Sequence, residues 1–157
     1  MQDLNDIKKS AAFNIHEATD GEFKGWRTWT SDTFLNDTGP FWHRVEANGA
    51  VRCAFRVQNK HLNGFGNVHG GCVMVFVDYC VFAIANPVLN GPGVTVSLSG
   101  EFLGAAREGE LIEASGEVTH AGGSLIFVRG ELKAGDRRLF TFSGTIKRIR
   151  SIQTECR

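Results

Sequence analysis

The amino-acid sequence predicts an α+β domain in which one antiparallel β-sheet wraps around a single long central helix at about residues 70–86. The length of 157 residues suits one domain, residues 1–157, with one sizeable core. Two strand-like runs precede an apolar stretch of helical length and four follow it, without the strand–helix alternation of a parallel sheet. A helix that is apolar on every side must be enclosed by other structure.

The residues before the predicted sheet have a weaker secondary-structure pattern than the rest of the chain. Residues 4–13 fit a short helical extension, and residues 23–30, which include Trp26 and Trp29, fit a strand or a turn with aromatic contacts. The first 20 residues hold six charged side chains and lack the apolar region of a signal peptide. We therefore expect no targeting segment here.

The first two strands of the sheet are predicted as a hairpin, residues 41–46 and 50–58. Asn48-Gly49 lies between them, and both residue types tolerate the positive φ angles of tight turns. In the second run apolar side chains alternate with polar ones, so this strand is expected to be half-buried. The apolar positions are Val51, Cys53, Phe55 and Val57.

The central helix follows a glycine-rich loop, residues 63–71. Residues 72–85 are apolar except for Asp78 and the hydroxyl of Tyr79. These 14 residues would make a long buried strand but a helix of ordinary length. We expect Pro87 to end this helix, because the residue before a proline is disfavoured in the α region.

Four further strand-like runs complete the predicted sheet. Their connections are short and contain glycine, which is typical of antiparallel neighbours. The runs are residues 94–103, 110–119, 124–132 and 138–149.

Composition argues against several classes of function. Basic and acidic residues number 17 each, so the chain lacks the basic field of a general nucleic-acid or acidic-membrane binder. No stretch reaches the roughly 18 unbroken apolar residues of a membrane helix. The four cysteines have no CxxC pairing, which argues against a disulfide scaffold or a metal site and favours a reduced, cytoplasmic protein. Glycine is in excess, with 19 residues against an average of about 7%.

Asp78 is the first candidate functional residue. Between Lys60 and Arg107 the sequence has no Lys or Arg and only two acids, Asp78 and Glu101. A carboxylate in an apolar helix without a cationic partner is costly, so it is retained either by a hydrogen-bond network or by function. We favour function, because the preceding loop carries matching chemistry.

That matching chemistry is His69-Gly70-Gly71, where the helix begins. Backbone N–H groups at a helix N-terminus favour an oxyanion, and glycine lets a ligand approach the backbone closely. Such a turn can polarise a carbonyl and stabilise a tetrahedral intermediate. A tight loop packed on the sheet would also need these glycines, and this alternative stays open.

The spacing of the two candidates predicts a dimer. Asp78 is nine residues after His69, so it lies about 13 Å further along the helix and on roughly the opposite side. One helix cannot easily bring both groups to the same substrate atom. We therefore expect a symmetric dimer with shared sites, in which Asp78 of one subunit faces the Gly70 amide of the other.

Several motifs in sequence order support a family resemblance. They are Asn63, the His69-Gly70-Gly71 turn, Asp78, and Gly93-Val94-Thr95-Val96. Together they resemble the signature of hotdog-fold acyl-CoA thioesterases, specifically the PaaI-like family of phenylacetic acid degradation, over about residues 41–149. The resemblance implies a hotdog fold, hydrolysis of a CoA thioester to a free acid and CoA without a further cofactor, and a homodimer or a dimer of dimers.

The resemblance also implies a role for each matching residue. Asp78 would be the general base or the nucleophile, the Gly70 amide would polarise the thioester carbonyl, and Thr95 would orient Asp78 or the water. Asn63 and His69 would position the thioester or hold the loop. The candidates for contact with the substrate are Gly71, Phe76, Phe82, Arg107 and Ser124. Among these, the phenylalanines are candidates for the acyl group and Arg107 for the CoA phosphates.

One position departs from the family pattern. Many relatives have a basic residue before the hydroxyl of Ser124, near the CoA phosphates, where this chain has Gly123. The late basic residues are therefore further candidates for the phosphates, with exposed surface charge as the alternative. These residues are Lys147, Arg148 and Arg150.

A different class of function remains open at the level of sequence, since fold alone does not fix function. Hotdog domains also serve as non-catalytic acyl-CoA sensors, which would bind acyl-CoA without releasing a thiol. A sensor usually has an attached output domain, for which 157 residues leave no room, so we expect an enzyme. A dinucleotide site at Gly64-x-Gly66 is not expected, because the third glycine and the surrounding βαβ unit are missing.

Overall fold

The computed structural model describes residues 14–149. In this range the chain forms eight strands, two α-helices and a short 3₁₀ helix. In order they are β1 (Ile15–Glu17), β2 (Arg27–Trp29), α1 (Thr33–Thr38), β3 (Trp42–Val45), β4 (Val51–Arg56), the 3₁₀ helix (Asn59–His61), α2 (Gly70–Leu89), β5 (Gly93–Phe102), β6 (Leu111–Ala121), β7 (Leu125–Ala134) and β8 (Arg137–Arg148). The expected helix at residues 4–13 lies outside the described residues.

All eight strands form one antiparallel sheet in the order β1-β2-β3-β4-β6-β7-β8-β5. The central helix α2 packs against β4, β6, β7 and β8, so the sheet wraps around it. The predicted fold class is therefore confirmed. Strand β5 follows the helix in sequence but lies at the edge of the sheet beyond β8.

The predicted hairpin is present as β3 and β4, with pairing from Trp42–Ala54 to Val45–Val51. Gly49 adopts φ +83°, which a turn residue with a side chain would tolerate poorly. The predicted apolar face of β4 is buried against the helix. Alternation of apolar residues therefore gave the correct face of this strand.

Helix α2 is apolar because most of it is enclosed. By length and composition it is long and apolar enough to cross a membrane, but more than half of it is buried within this domain. Phe76 and Tyr79 pack in an aromatic cluster with Phe41 and Phe55. Burial of side chains of this size contributes about 1.5–3 kcal/mol each, which holds the helix against the sheet.

The prediction that Pro87 ends the helix is wrong, since α2 continues to Leu89. A proline near the end of a helix removes only one backbone hydrogen bond, and two contacts compensate for its cost. The Leu89 side chain is buried, and its carbonyl oxygen accepts a hydrogen bond from the Arg148 guanidinium. The helix then ends at Asn90, which adopts the left-handed conformation with φ +51°.

Part of the glycine excess serves close packing between helix and sheet. A Cβ atom at Gly144 would lie 2.7 Å from a methyl group of Val81, and one at Gly116 would lie 2.8 Å from Ile84. Both distances are shorter than real Cβ contacts, so a side chain at either position would push the helix away from the sheet.

Candidate active site

Asp78 lies in the middle of α2, partly exposed and facing β5. The Thr95 hydroxyl donates a hydrogen bond to Oδ1 of Asp78 over 2.5 Å, a length typical of a bond to a charged carboxylate. Between Thr95 and Ser97 the pairing with β8 shifts by one residue, so β5 contains a bulge at Val96. Bulges re-aim side chains, and this one accompanies the turn of Thr95 toward the helix.

His69 forms the N-cap of α2 in an extended conformation. Its Nδ1 atom accepts the N–H of Gly71 over 2.8 Å, which assigns the ring proton to Nε2. The Gly71 N–H is therefore used within the cap, and contact of the exposed Gly71 with the substrate stays a prediction. Within residues 14–149 the Gly70 N–H has no acceptor, so it remains available to a ligand.

Asn63 organises the loop that leads to this turn. Its Oδ1 atom accepts the N–H groups of Phe65 at 2.9 Å and of Asn67 at 3.2 Å. The loop is also tied to the segment before β6, because the Val68 N–H donates to the carbonyl of Ala106. Two roles were predicted for Asn63, and these hydrogen bonds show that its side-chain oxygen holds the loop.

Two separate cavities contain the two halves of the predicted site. A cavity of about 420 Å³ is lined by Asp78 and Phe82, together with residues of β2 and α1. A second cavity of about 240 Å³ is lined by Asn63, Gly70 and Phe102. One chain therefore brings Asp78 together with Thr95 and Phe82, and Asn63 together with Gly70, but does not join the two groups.

Sequence and structure comparisons identify the family. A family model described as "Thioesterase superfamily" matches residues 65–141. A Pseudomonas aeruginosa protein named "Putative esterase PA0474" is 32% identical over 118 residues, which is 73% of this chain and 87% of that protein. The chain belongs to the thioesterase superfamily. Thioester hydrolysis is therefore its class of reaction.

One further sequence relative and one solved structure are also similar to this chain. Human acyl-coenzyme A thioesterase 13 is 31% identical over 87 residues, which is 55% of this thioesterase and 62% of the human protein, less than two thirds of its length. The PaaI protein of E. coli superposes with a TM-score of 0.68 at 21% identity, over 76% of this chain and 86% of that one. The second match shows that the hotdog fold is shared.

The two phenylalanines predicted to contact the acyl group differ in position. Phe82 lines the cavity beside Asp78. Phe76 is 0% exposed within the aromatic cluster, so the prediction that it contacts the acyl group is corrected. Both belong to one apolar helix, and only the sheet decides which of them is covered.

The residues predicted to bind CoA phosphates lie at different ends of the domain. Arg107 pairs through its backbone with Asn67, so it lies beside the loop that leads to Gly70. Ser124 is exposed at the opposite end, where its carbonyl accepts the N–H of Arg148. The Arg148 guanidinium donates to the carbonyls of Gly122 and Leu89. It therefore caps the C-terminus of the central helix, and these donors are not available to a phosphate. Arg150 lies outside the described residues.

A buried aromatic group next to Asp78, formed by Trp29, His43 and Tyr79, was not predicted from the sequence. The hydroxyl of Tyr79 lies 2.6 Å from Nδ1 of His43, and the ring of Trp29 packs at a tilt against the rings of both residues. Burial, assisted by the charge of Arg27, lowers the pKa of His43 to about 4, and burial raises the pKa of Tyr79. The available signal was the one tyrosine of the chain in an apolar helix, because a buried phenol needs a hydrogen-bond partner.

The two cysteines of the central helix are not activated as nucleophiles. Cys72 is the cysteine nearest to the His69-Gly70-Gly71 turn, and burial raises its pKa to about 11. Burial also raises the pKa of Cys80. Both side chains are therefore thiols at neutral pH, whereas a nucleophilic cysteine must be a thiolate. Within residues 14–149 no three His, Cys, Asp or Glu side chains are grouped so that they could hold a metal ion.

Proposed function

We propose that this thioesterase hydrolyses acyl-CoA thioesters, with release of a free carboxylic acid and CoA. The observation that carries the proposal is the Asp78 carboxylate, held by Thr95 on the wall of a largely apolar cavity. The name of the human relative, acyl-coenzyme A thioesterase, supports the choice of substrate. Water is the only co-reactant, and CoA enters as part of the substrate, so the reaction needs no other cofactor.

Asp78 supplies the reactive oxygen. Because the Thr95 hydroxyl occupies Oδ1, Oδ2 is the atom left to act on water or on the thioester. As a general base, it takes a proton from water while the water oxygen bonds to the carbonyl carbon. The C–S bond then breaks, and the proton passes to the CoA thiolate. As a nucleophile, it would form an acyl anhydride that water hydrolyses.

The Gly70 amide stabilises the negative charge that develops on the thioester carbonyl oxygen. It lies at the N-terminus of a 20-residue helix, where the N–H groups and the macrodipole favour negative charge. A thioester carbonyl oxygen that accepts this N–H becomes more negative in the tetrahedral intermediate. Donors of this kind are worth about 10²–10³-fold in kcat.

A second copy of the chain completes the site. Gly70 and Asp78 are eight residues apart in one helix, about 12 Å along its axis, and they line different cavities. Strand β5 connects the two halves, because Thr95 contacts Asp78 and the ring of Phe102 lies against Gly70. Thr95 and Phe102 are about 23 Å apart along the strand. The two groups must therefore meet across a subunit interface.

The outer edge of β5 is the proposed interface. Within the described chain β5 pairs only with β8, and the side chains of Val96 and Phe102 are 52% and 57% exposed. Two β5 strands related by a two-fold axis through Ser99, each keeping its bulge at Val96, would place Thr95 opposite Phe102 of the second copy. Directly opposed Cβ atoms are about 5 Å apart, so Asp78 would approach the second copy's Gly70.

In this dimer the CoA-binding candidates come from both chains. Arg107 accompanies the Gly70 half of the site, and Ser124 lies near the start of β5 in the Asp78 half. We assign Arg107 to the phosphates, because its side chain is exposed beside the loop that presents the carbonyl-binding amide. Ser124 is assigned to the outer part of CoA.

Subunit complementation tests the shared site. The variant Asp78→Asn removes the base, and Gly70→Pro removes only the amide donor, because proline is favoured at the first helical position and His69 already has the extended conformation that proline requires. Gly70→Ala is the control, since it keeps the N–H and its Cβ would approach only the tip of the Phe102 ring at 3.3 Å. Thiol release is measured for each variant and for mixtures after subunit exchange.

We expect Asp78→Asn and Gly70→Pro each to lose about 100-fold or more in kcat. A random mixture of the two recovers about a quarter of wild-type activity, because half of the dimers are mixed and each mixed dimer has one intact site. Absence of recovery from a mixture that exchanges subunits would contradict a shared site. Wild-type turnover in Asp78→Asn would contradict the role of the carboxylate, and acyl-CoA binding by the wild type without thiol release would identify a sensor.

A further inference from the structure

We infer that the cavity beside Asp78 receives an uncharged acyl group, and that Asp32 excludes acyl groups that carry a distal carboxylate. The inference rests on the proposed function, because it takes Asp78 as the group that attacks the thioester. It adds a class of acyl group and a residue that selects it.

The lining of this cavity is mostly apolar and contains two carboxylates. It has a volume of about 420 Å³, which suits a small acyl chain or ring. Apolar and aromatic side chains form most of the wall: Trp29, Leu35, Tyr79, Phe82, Leu89 and Pro92. Its ionisable side chains other than Tyr79 are Asp32 and Asp78, and no Lys or Arg of the described residues lines it. An anionic acyl group would therefore meet two carboxylates and no cation.

The Asp32 carboxylate is exposed but is oriented by a hydrogen bond within its own helix. It is the N-cap of α1, and its Oδ1 atom accepts the Leu35 N–H over 3.1 Å. Capping holds the carboxylate at the start of the helix while Leu35, from the next turn, contributes to the same cavity. A second carboxylate about 4 Å away would be disfavoured roughly fivefold even at the dielectric constant of water.

The wall that holds Asp32 is anchored to the central helix. Trp29, three residues before Asp32, packs at 4.7 Å from the ring of His43 and at 4.8 Å from the ring of Tyr79. The Tyr79 hydroxyl also donates to the carbonyl of Arg27 over 3.3 Å. Trp29, Asp32 and Leu35 all precede residues 65–141, which match the family model. This wall is therefore a place where this chain can set its own specificity.

The test compares hydrolysis of hexanoyl-CoA with that of glutaryl-CoA, which has a similar length and a distal carboxylate. The variant Asp32→Asn removes the charge but keeps a good N-cap, so α1 is preserved. Asp37→Asn is the matched control, because it makes the same change on the same short helix at a residue that does not line the cavity. The measured quantity is the ratio of kcat/KM for the two substrates at low salt, where exposed charges are least screened.

We expect the wild-type enzyme to prefer hexanoyl-CoA by at least tenfold. Asp32→Asn is expected to reduce this preference by about fivefold through faster hydrolysis of glutaryl-CoA, while Asp37→Asn leaves the ratio unchanged. An unchanged ratio in Asp32→Asn, or an equal change in Asp37→Asn, would overturn the inference. If Asp78→Asn abolishes turnover but Asp32→Asn leaves the ratio unchanged, only the selection by Asp32 fails; if Asp78→Asn is fully active, the proposed function fails first.

Discussion

The hydrogen bond from Thr95 to Asp78 gives the most quantitative prediction about the site. Thr95→Val replaces the hydroxyl with a methyl group and keeps the branched shape that suits strand β5. The lost bond is short, at 2.5 Å, and its acceptor is a carboxylate. Hydrogen bonds to charged groups contribute about 1.5–3 kcal/mol. If this contribution is lost from the transition state, kcat/KM falls about 10- to 150-fold.

Thiol release from an acyl-CoA, measured over a range of substrate concentrations, separates kcat from KM for this variant. Thr95→Ser keeps the donor and is expected to retain activity within about threefold, so it controls for the loss of the methyl group. Urea unfolding of both variants checks that the edge strand is intact. Activity of Thr95→Val within threefold of wild type, with normal folding, would refute the view that Thr95 holds Asp78 for catalysis.

Two further predictions concern stability and assembly. Burial lowers the pKa of His43 from 6.5 to about 4, so the unfolded chain binds a proton that the folded chain does not, and stability is lost as the pH falls from 6.5 toward 4. Urea unfolding should show wild type losing about 3 kcal/mol relative to His43→Gln across this window; parallel curves would contradict it. In the proposed β5 pairing Ser97 lies opposite Glu101 of the second copy, so Ser97→Glu should weaken the dimer in light scattering over a dilution series, whereas Ser97→Lys should not. Equal behaviour of the two variants would contradict this register.

Local sequence pattern was sufficient for most of the fold. The apolar run that contains Asp78 predicted a buried helix, and alternation in β4 predicted its covered face, because both features depend on neighbours within one element. The end of the helix was missed. A proline usually stops a helix, but here the buried Leu89 and the guanidinium of Arg148, 59 residues away, keep the last turn helical.

The candidate site was predictable where its chemistry is local. His69, Gly70 and Gly71 are adjacent, and their place at the start of the helix follows from a glycine-rich stretch that precedes an apolar one. The sequence analysis assigned the Gly70 amide to the carbonyl, but the bond from the Gly71 N–H to His69 was not predictable, because it depends on the His69 rotamer. The separation of Phe76 from Phe82 was not predictable either, since both are apolar residues of the same helix.

The sequence by itself determined the central helix, the glycine-rich turn at its start and the unusual acid within it, because each is encoded by a short stretch of chain. Tertiary structure decided the surroundings of that acid: β5 brings Thr95 to it across the sheet, and β2 and α1 bring Trp29, Asp32 and Leu35 to its cavity. It also placed Gly70 in a different cavity and left the outer edge of β5 unpaired in the described chain. These facts depend on the order of strands in the sheet and on packing between distant segments, which hydrophobic periodicity along the chain does not specify.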